Sequence, residues 1–254
     1  MFYLADRGVV KITGVDAKPF LQGLITNDIN KLQDGGAIYA AMLTPQGKYL
    51  FDFIIYQIRS ELFLDVEISR IPALVKRLNM YKLRSQLEIE DITSKVFVYA
   101  SENEGISDPR NPKMGKRLVS SEKVKEPQDF KEYEKRRIKL GVIETKDLEA
   151  EQSFIMQNSF EEIHGVDFNK GCYVGQEVTA RTKYKGGVKK KIYVATSHEN
   201  LPPTGTAITA NDKQVGVLRT VVENIALAHC DIELVETAVS FKAGDVAVSL
   251  ALPA

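Results

Sequence analysis

The chain has 254 residues, of which 44% are hydrophobic, so it can bury a substantial core in one large domain or in two to three smaller ones. Its 34 basic and 34 acidic residues cancel to a formal charge of zero, which argues against a global field that attracts nucleic acid or an anionic membrane. Cys172 and Cys230 are too few for a disulfide framework or a cysteine-only cluster site. No apolar run has the length of a membrane span, and the first residues lack a leader pattern. We therefore expect a cytoplasmic protein with no resident metal, no membrane contact and no stable nucleic-acid binding.

Residues 1–100 combine two helical patterns with several strand patterns. Asp16 can cap a helix that continues to Ile25, and Ser69 can cap a second helix over 71–83. Strand patterns lie at 37–43, 49–58, 61–67, 87–92 and 96–100. A Pro/Gly turn at 44–48 joins the first two strands into a predicted hairpin. Helices packed on one face of an antiparallel sheet make this segment an α+β lobe.

The chain changes character twice after this lobe. Residues 101–128 are rich in Pro, Gly, Ser and charge and read as loop, after which Asp129 can cap a helix that Gly141 ends. A further helix is predicted at 176–184. Short strands predict a small C-terminal β-barrel or sandwich at 192–196, 207–210, 215–222, 225–229 and 246–250. The sequence thus predicts three domains, which are 1–100, 101–188 and 189–254.

The segment 170–177 combines a thiol, two glycines, a cation and an acid ahead of a predicted helix. The positive end of that helix and the ammonium of Lys170 would both favour the thiolate of Cys172. Gly171 and Gly175 would let the backbone bend tightly and approach a ligand closely. The alternative is that Cys172 is a small buried hydrophobe and that the glycines only shape a turn.

Other chemically suggestive residues each have a structural alternative. The lysine-rich run 183–191 can make a weak anion contact or form a solvated turn. Glu177 and Arg181 are spaced as a pair on one helix face. Asp52 can be a pocket carboxylate or an exposed residue on a strand face. Cys230 lies in an apolar run and is expected to be buried.

The string KGCYVGQEVTAR, Lys170 to Arg181, resembles the signature of the YgfZ folate-binding family. Further resembling segments are FLQGLITND at 20–28, LTPQGK at 43–48, DPR at 108–110, GKR at 115–117 and GVL at 216–218. The resemblance therefore covers essentially the whole chain. It implies the α+β, multi-lobe fold of the glycine-cleavage T-protein (aminomethyltransferase) superfamily. That fold has antiparallel sheets, packed helices and a small C-terminal β-barrel around a central tetrahydrofolate pocket.

The same resemblance implies a function and a set of site residues. The family supports assembly or repair of iron–sulfur enzymes, including radical-SAM tRNA modifiers, so the implied partners are iron–sulfur client proteins or assembly factors. The implied cofactor is tetrahydrofolate or a derivative. Cys172 corresponds to the motif thiol and Lys170 to its partner, and the loop is completed by Gly171, Gly175, Gln176 and Glu177. The folate pocket of the superfamily is lined by segments that here contain Asn27, Gln46, Asp52, Arg137 and Gln157.

Two departures from the superfamily pattern bear on this function. T-proteins carry consecutive acids where this chain has Phe51 and Asp52, which disfavours glycine cleavage. Gln157 stands where many relatives have a glutamate, and an amide cannot accept a proton or carry charge as a carboxylate does. Two alternatives therefore stay open. One is a folate-dependent aminomethyl or one-carbon transferase with Asp52 as the remaining acid, and the other is an interaction module that has lost folate binding.

Overall fold

Two open antiparallel sheets, one closed β-barrel and five α-helices make up the fold in a computed structural model that describes residues 1–254. The strands are β1 Phe2–Tyr3, β2 Arg7–Thr13, β3 Ala37–Leu43, β4 Tyr49–Ile58, β5 Glu61–Glu67, β6 Glu88–Asp91, β7 Phe97–Ser101, β8 Ile106–Ser107, β9 Lys116–Ser120, β10 Lys190–Thr196, β11 Ala207–Ala210, β12 Lys213–Val222, β13 Ile225–Asp231, β14 Phe241–Ala243 and β15 Val246–Ala251. The helices are α1 Ala17–Gln22, α2 Ile71–Lys82, α3 Phe130–Lys139, α4 Gln176–Arg181 and α5 Ile232–Thr237. The predicted fold class is confirmed.

The first sheet has the strand order β3-β4-β5-β2-β6, and its central strands are covered on both faces, whereas the edge strand β6 is mostly exposed. Strand β4 is apolar almost throughout because both of its faces are buried. Phe53 and Ile55 pack with α1 and α2, whereas Ile54 and Tyr56 point to the opposite face. The core on that opposite face continues through α3 to the barrel strands β10 and β13, so this cluster joins both sheets to the barrel. The barrel interior has a hydrophobic cluster of its own.

The second sheet has the order β1-β7-β9-β8, and the barrel closes in the order β10-β13-β12-β11-β14-β15. Strands β8 and β9 lie in the stretch that the sequence predicted as loop. They were missed because β8 has only two residues and β9 begins with the charged Lys116 and Arg117. The barrel contains the predicted strands and one unpredicted strand, β14, which is only three residues long. None of the helices combines the length and the apolar character needed to cross a bilayer.

The sequence prediction missed β2, although this strand lies inside the first sheet between β5 and β6. The charged residues Arg7 and Lys11 interrupt its apolar pattern. Arg7 is nevertheless buried, because its Nε donates to Asp65 Oδ1 at 2.6 Å. A sequence pattern does not show such a pairing, since Asp65 is far away along the chain.

Two predicted helix caps are also wrong. Asp16 accepts a hydrogen bond from the backbone N–H of Gln86 at 2.7 Å and does not cap α1, which ends at Gln22. Ser69 lies in a short 3-10 turn, where its hydroxyl donates to Glu67 at 2.5 Å. In both cases a partner outside the helix satisfies the polar side chain. The predicted cap of α3 is confirmed, since Asp129 accepts from the N–H of Lys131 at 3.0 Å.

A buried network of charges joins the two sheets. Arg117 on β9 lies 3.4 Å from Asp65 of β5 and 3.2 Å from Asp108. Arg110 makes paired hydrogen bonds of 3.0 and 2.8 Å to the same Asp108 carboxylate. Burial alone would raise the pKa of Asp108, but Arg110 and Arg117 outweigh it and lower that pKa from its usual 3.8. These charges are fully paired inside the protein, so they fix how the sheets sit together.

Candidate functional site

The segment 170–177, here called the motif loop, lies between the end of α1 and the β3–β4 turn. On the α1 side, Val174 donates its backbone N–H to the carbonyl of Gly23 at 3.2 Å. Just before the loop, Asp167 donates its N–H to the carbonyl of Thr26 at 3.1 Å. The motif loop is therefore held against the first lobe by its backbone as well as by side chains.

Lys170 anchors the motif loop. Its Nζ donates to three carbonyl oxygens at the end of α1, those of Gln22 at 2.8 Å, Ile25 at 2.5 Å and Asn27 at 3.0 Å. Helix ends leave carbonyls without intrahelical partners, and a lysine is suited to satisfy them. All three N–H groups of Lys170 are used in this way, so none is left for a hydrogen bond to the Cys172 thiol. The role of Lys170 as the partner of the thiol stays a prediction. Burial lowers the pKa of Lys170 to about 8.

Two glycines let the motif loop pack closely on the β3–β4 turn. Gly175 has φ +84°, and a Cβ added there would lie 2.6 Å from the carbonyl oxygen of Thr44. Gly47 in the turn has φ +73°, and its added Cβ would lie 2.7 Å from Cβ of Val178. Gly171 differs, because an added Cβ there meets nothing within 4 Å. Close packing against the protein therefore requires a glycine at 175 but not at 171. The predicted close approach of both glycines to a ligand stays a prediction.

Cys172 is exposed, while Lys170 and Tyr173 on either side of it are buried. The alternative that Cys172 is a buried hydrophobe is therefore wrong. Cys230 is buried in the barrel core as predicted, and burial raises the pKa of its thiol to about 12. No group of three or more His, Cys, Asp and Glu side chains is arranged to hold a metal ion. The chain thus presents a single accessible thiol on a well-anchored loop.

Two of the predicted folate residues lie beside the motif loop. Asn27 is at the end of α1, and its Nδ2 donates to the carbonyls of Tyr39 and His164, each at 2.8 Å. Gln46 is exposed in the turn that packs on Gly175. Gln176 and the exposed Glu177 begin α4 directly after the motif glycine. The structure therefore brings the segments of Asn27 and Gln46 together with the motif loop.

Asp52 is buried and lies in neither of its two predicted environments. Its Oδ1 accepts hydrogen bonds from the hydroxyls of Tyr49 and Thr145, each at 2.6 Å. Its Oδ2 accepts from the hydroxyl of Tyr39 at 3.0 Å. Three hydroxyl donors satisfy both oxygens, so this carboxylate has a structural role between β4 and the segment after α3.

Arg137 is fully buried and forms ion pairs inside the protein. Its guanidinium pairs with Glu134 at 2.9 Å and with Asp147 at 2.7 Å, and it donates to the Thr220 hydroxyl on β12 at 2.7 Å. A fourth partner of Arg137 is the carbonyl of Val142 at 2.9 Å. These partners use all five N–H groups of the guanidinium, so none is free to bind folate. Arg137 ties α3 to the barrel.

Gln157 alone among the predicted folate residues borders a large cavity. This cavity has a volume of about 730 Å³ and lies between the segment 149–158 and the barrel. Asp52 and Arg137 do not line it. The residues predicted to hold folate therefore do not all line one cavity, and folate binding by this chain stays a prediction.

The lysine-rich run is partly paired. Lys183 pairs with Glu161, and Lys191 pairs with Glu162 at 2.9 Å. Lys185 remains exposed in the π-helical segment Thr182–Gly186 that continues α4. The weak anion contact predicted for this run stays a prediction. The predicted pair on one helix face is confirmed, with Glu177 and Arg181 at 3.7 Å.

Sequence reasoning missed the structural role of the buried charges. Asp108, Arg110 and Arg117 lie in two of the segments that carried the family resemblance, DPR and GKR. Glu144 also belongs to this group, because it accepts a hydrogen bond from the Arg110 guanidinium at 3.2 Å. The resemblance was a signal for these residues, but only the fold shows that they face each other.

Comparisons with known proteins agree with this geometry. Residues 2–145 match the family described as "GCVT N-terminal domain", and residues 189–254 match "CAF17, C-terminal beta-barrel domain". The crystal structure of the glycine cleavage system aminomethyltransferase T from Bartonella henselae superposes with a TM-score of 0.74 at 12% identity, covering 100% of this chain and 84% of that one. The chain therefore belongs to the GCVT family and has the T-protein-like fold.

The relatives that are similar in sequence show which family within this class the chain belongs to. Human "Iron-sulfur cluster assembly factor IBA57, mitochondrial" is 30% identical over 89% of this chain and 76% of its own length. The Mycosarcoma maydis homologue is 34% identical over 73% of this chain, and the mouse protein is 29% identical over 99% of it. The chain spans 54% of the length of the M. maydis protein and 84% of the mouse protein. Within the T-protein-like class, the chain thus belongs to the IBA57 family.

These relatives correct two expectations. The family is IBA57, a sister family of YgfZ, so the resemblance indicated the right superfamily but not the right branch. The relatives are named mitochondrial, which contradicts the expectation of a cytoplasmic protein.

Proposed function

We propose that this chain is an iron–sulfur cluster assembly factor in which Cys172 makes a transient contact with a cluster, a sulfur species or a client protein. The observation that carries the proposal is the exposed position of Cys172 on a loop held by Lys170 and Gly175. A thiol on an anchored loop meets a partner with little loss of conformational entropy. The printed names of the IBA57 relatives support the assembly role.

With one accessible thiol, the chain assists cluster assembly in this proposal and does not carry a cluster by itself. Iron–sulfur clusters are held by several cysteine thiolates, and the second cysteine of this chain is sealed in the barrel. The remaining ligands must come from the client or from another assembly factor. The proposed partners are therefore iron–sulfur proteins, including [4Fe–4S] enzymes and radical-SAM enzymes that modify tRNA.

Tetrahydrofolate or a derivative is the proposed small-molecule ligand. Its support is the resemblance of the KGCYVGQE string to a folate-binding family. Asp52 and Arg137 are engaged by protein groups, so we assign neither of them to folate. Because both oxygens of Asp52 accept hydrogen bonds from protein hydroxyls, Asp52 does not support the alternative of a one-carbon transferase. The proposed role of Cys172 does not require folate to take part in a chemical step.

The test is complementation in cells that lack their own copy of the chain. Cys172→Ala is expected to abolish the recovery of aconitase activity and of a radical-SAM tRNA modification, because the variant lacks the only accessible thiol. Cys230→Ala serves as the matched control, since its thiol lies in the barrel core, and it is expected to restore both activities. Full client activity with Cys172→Ala would refute the role of the thiol.

A further inference from the structure

Helix α2 and the turn after it concentrate positive charge. Residues 68–87 contain five basic residues and no acidic residue, although the whole chain has as many acids as bases. Arg70 is engaged, because its guanidinium donates to the carbonyl of Leu50 at 3.1 Å. The other four form no ion pair, and they are Lys76, Arg77, Lys82 and Arg84. The zero net charge of the chain argues against a global field but not against this local one.

Three apolar side chains project into solvent in the same region. The leucines of α2 are buried, so Lys76 and Met80 lie on the outer face of the helix. Met80 is 62% exposed, and Leu83, directly after the helix, is 87% exposed. Val15, in the loop before α1, is 80% exposed.

Val15 lies beside the turn after α2, because the loop before α1 packs on that turn. The Asp16 carboxylate accepts the N–H of Gln86 at 2.7 Å, and the Asp16 N–H donates to the Gln86 carbonyl at 3.4 Å. A Cβ added to Gly14 would lie 2.3 Å from the same carbonyl oxygen. The surface formed here is called the basic patch and consists of Val15, Lys76, Met80, Lys82, Leu83 and Arg84.

Leu83 is unfavourable where it stands. It ends α2 with φ +44°, a backbone conformation that favours glycine and that L residues rarely adopt. Because the side chain is exposed, packing inside the protein does not offset this strain. Strained backbone positions of this kind cluster where a protein binds a ligand or a partner. Contact with an apolar phase outside the protein accounts for an apolar side chain held in this way.

The acidic strand next to α2 does not neutralise the basic patch. Glu88 and Glu90 on β6 line a surface pocket that no residue of α2 lines. Ile89 between them packs with the core under α2, so the two glutamates lie on the sheet face away from this helix. Asp91 ends the strand, and its carboxylate accepts the N–H of Thr93 at 2.9 Å. The cations of the patch therefore face solvent without a carboxylate partner.

We propose that the basic patch is a docking surface for an anionic lipid membrane. Its cations can lie among the phosphate headgroups while Val15, Met80 and Leu83 enter the boundary with the acyl chains. A second copy of the chain is disfavoured as the partner, because two such patches would bring like charges together. RNA or an acidic protein would attract the same cations. The projecting side chains are aliphatic, however, and offer neither the aromatic faces on which bases stack nor the aromatic anchors typical of protein interfaces.

The basic patch and the Cys172 site lie at opposite ends of α1. Val15 precedes this helix, whereas Lys170 binds carbonyls at its other end. Membrane docking therefore goes beyond the proposed function and does not rest on it.

Co-sedimentation of the purified full chain with lipid vesicles tests the proposal. We expect binding to vesicles of equal parts phosphatidylcholine and phosphatidylglycerol, and binding at least about tenfold weaker to phosphatidylcholine alone. Lys82→Gln combined with Arg84→Gln is expected to weaken binding to the anionic vesicles more than about tenfold, since each cation near the surface contributes about fivefold. Lys185→Gln combined with Lys189→Gln removes two exposed cations outside the patch and should bind like the unchanged chain.

Leu83→Gly separates membrane contact from folding. Glycine suits the positive φ, so the variant should be at least as stable as the unchanged chain while binding the anionic vesicles about tenfold more weakly. Val239→Ala is the control, because it shortens an apolar side chain that is 99% exposed outside the patch, and it should leave binding unchanged. The chain has no tryptophan, so Met80→Trp adds a single fluorophore whose emission should shift to the blue on anionic vesicles.

Several outcomes would overturn the proposal. They are the absence of binding to either vesicle, equal binding to both, and binding that neither Leu83→Gly nor the double substitution at 82 and 84 weakens. Binding of a single-stranded RNA that depends on Lys82 and Arg84, without vesicle binding, would assign the patch to nucleic acid instead. An unshifted emission of Met80→Trp on bound vesicles would show that another surface makes the contact.

Discussion

The ammonium of Lys170 lies 2.5 Å from the carbonyl oxygen of Ile25, so the cation of the motif serves the end of α1. The KGCYVGQE string suggests instead that this cation activates the neighbouring thiol. The structure shows an anchoring role, because Lys170 is buried and holds the loop while Cys172 remains exposed. Lys170 thus anchors this short motif, and Cys172 is its accessible thiol.

Lys170→Met tests the anchoring role. The variant leaves three carbonyls at the end of α1 without their donor, and we expect it to lower the free energy of unfolding by about 2 kcal/mol. Chemical denaturation measures this loss. Lys183→Met is the control, because it removes a lysine whose pairing with Glu161 lies at the surface, and it should cost far less. Equal losses in the two variants would contradict the anchor.

Gly175→Ala tests the contact between the motif loop and the β3–β4 turn. The added Cβ would meet the Thr44 carbonyl in a backbone conformation that L residues rarely adopt. We expect a loss of about 1–3 kcal/mol and faster amide exchange across the motif loop. Gly171→Ala is the matched control, since its Cβ would enter open space, and it should leave both measurements unchanged. A silent Gly175→Ala would show that the loop does not need this close approach.

The two cysteines should react very differently with Ellman's reagent. Cys172 is exposed, whereas Cys230 is buried with a pKa raised to about 12, so only Cys172 is accessible to the reagent. We expect one fast thiol in the native protein and two after denaturation. Cys172→Ala should remove the native reaction entirely. A second fast native thiol would mean that the barrel opens around Cys230.

The buried charges predict loss of stability in acid. The pKa of Glu144 lies well below its usual 4.5, because Arg137 and Arg110 outweigh the effect of burial, and that of Asp108 lies below its usual 3.8. A carboxylate with a depressed folded pKa stabilises the fold above its unfolded pKa and loses that contribution as pH falls. Urea unfolding should therefore show a falling free energy below about pH 4.5.

A substitution within this network supplies the control for the acid prediction. Glu144→Gln should be less stable at pH 7, by about 3–5 kcal/mol, because it leaves buried guanidinium charge uncompensated. Its acid limb should be flatter, since one of the depressed groups is gone. Glu177→Gln removes an exposed carboxylate and should leave the acid limb unchanged. An unaltered acid limb in Glu144→Gln would show that other groups govern acid unfolding.

The sequence determined those parts of the protein that depend on local or repeated patterns. The apolar run of β4, the cap of α3 by Asp129 and the short barrel strands each follow from the identity of residues near one another in the chain. The motif string did the same for the superfamily, because its residues are contiguous and specific, but it indicated YgfZ and not the IBA57 branch. Strand β2 was not predicted, because Arg7 and Lys11 interrupt its apolar pattern. Their ion-pair partners, Asp65 and Glu61, are distant in the sequence.

The tertiary structure alone decided which charges pair across long stretches of chain and that Cys172 is accessible. Lys170 donates to carbonyls that lie more than a hundred residues earlier in the chain. Arg137 donates to Thr220 on the barrel, and Asp52 accepts a hydrogen bond from Thr145, which follows the second sheet in the chain. Hydrogen bonds and ion pairs depend on distances of a few ångströms, whereas residue order fixes proximity only between near neighbours. For this reason the sequence predicted Cys172 and Lys170 as one site, whereas the fold shows that Cys172 faces solvent and that Lys170 holds the loop.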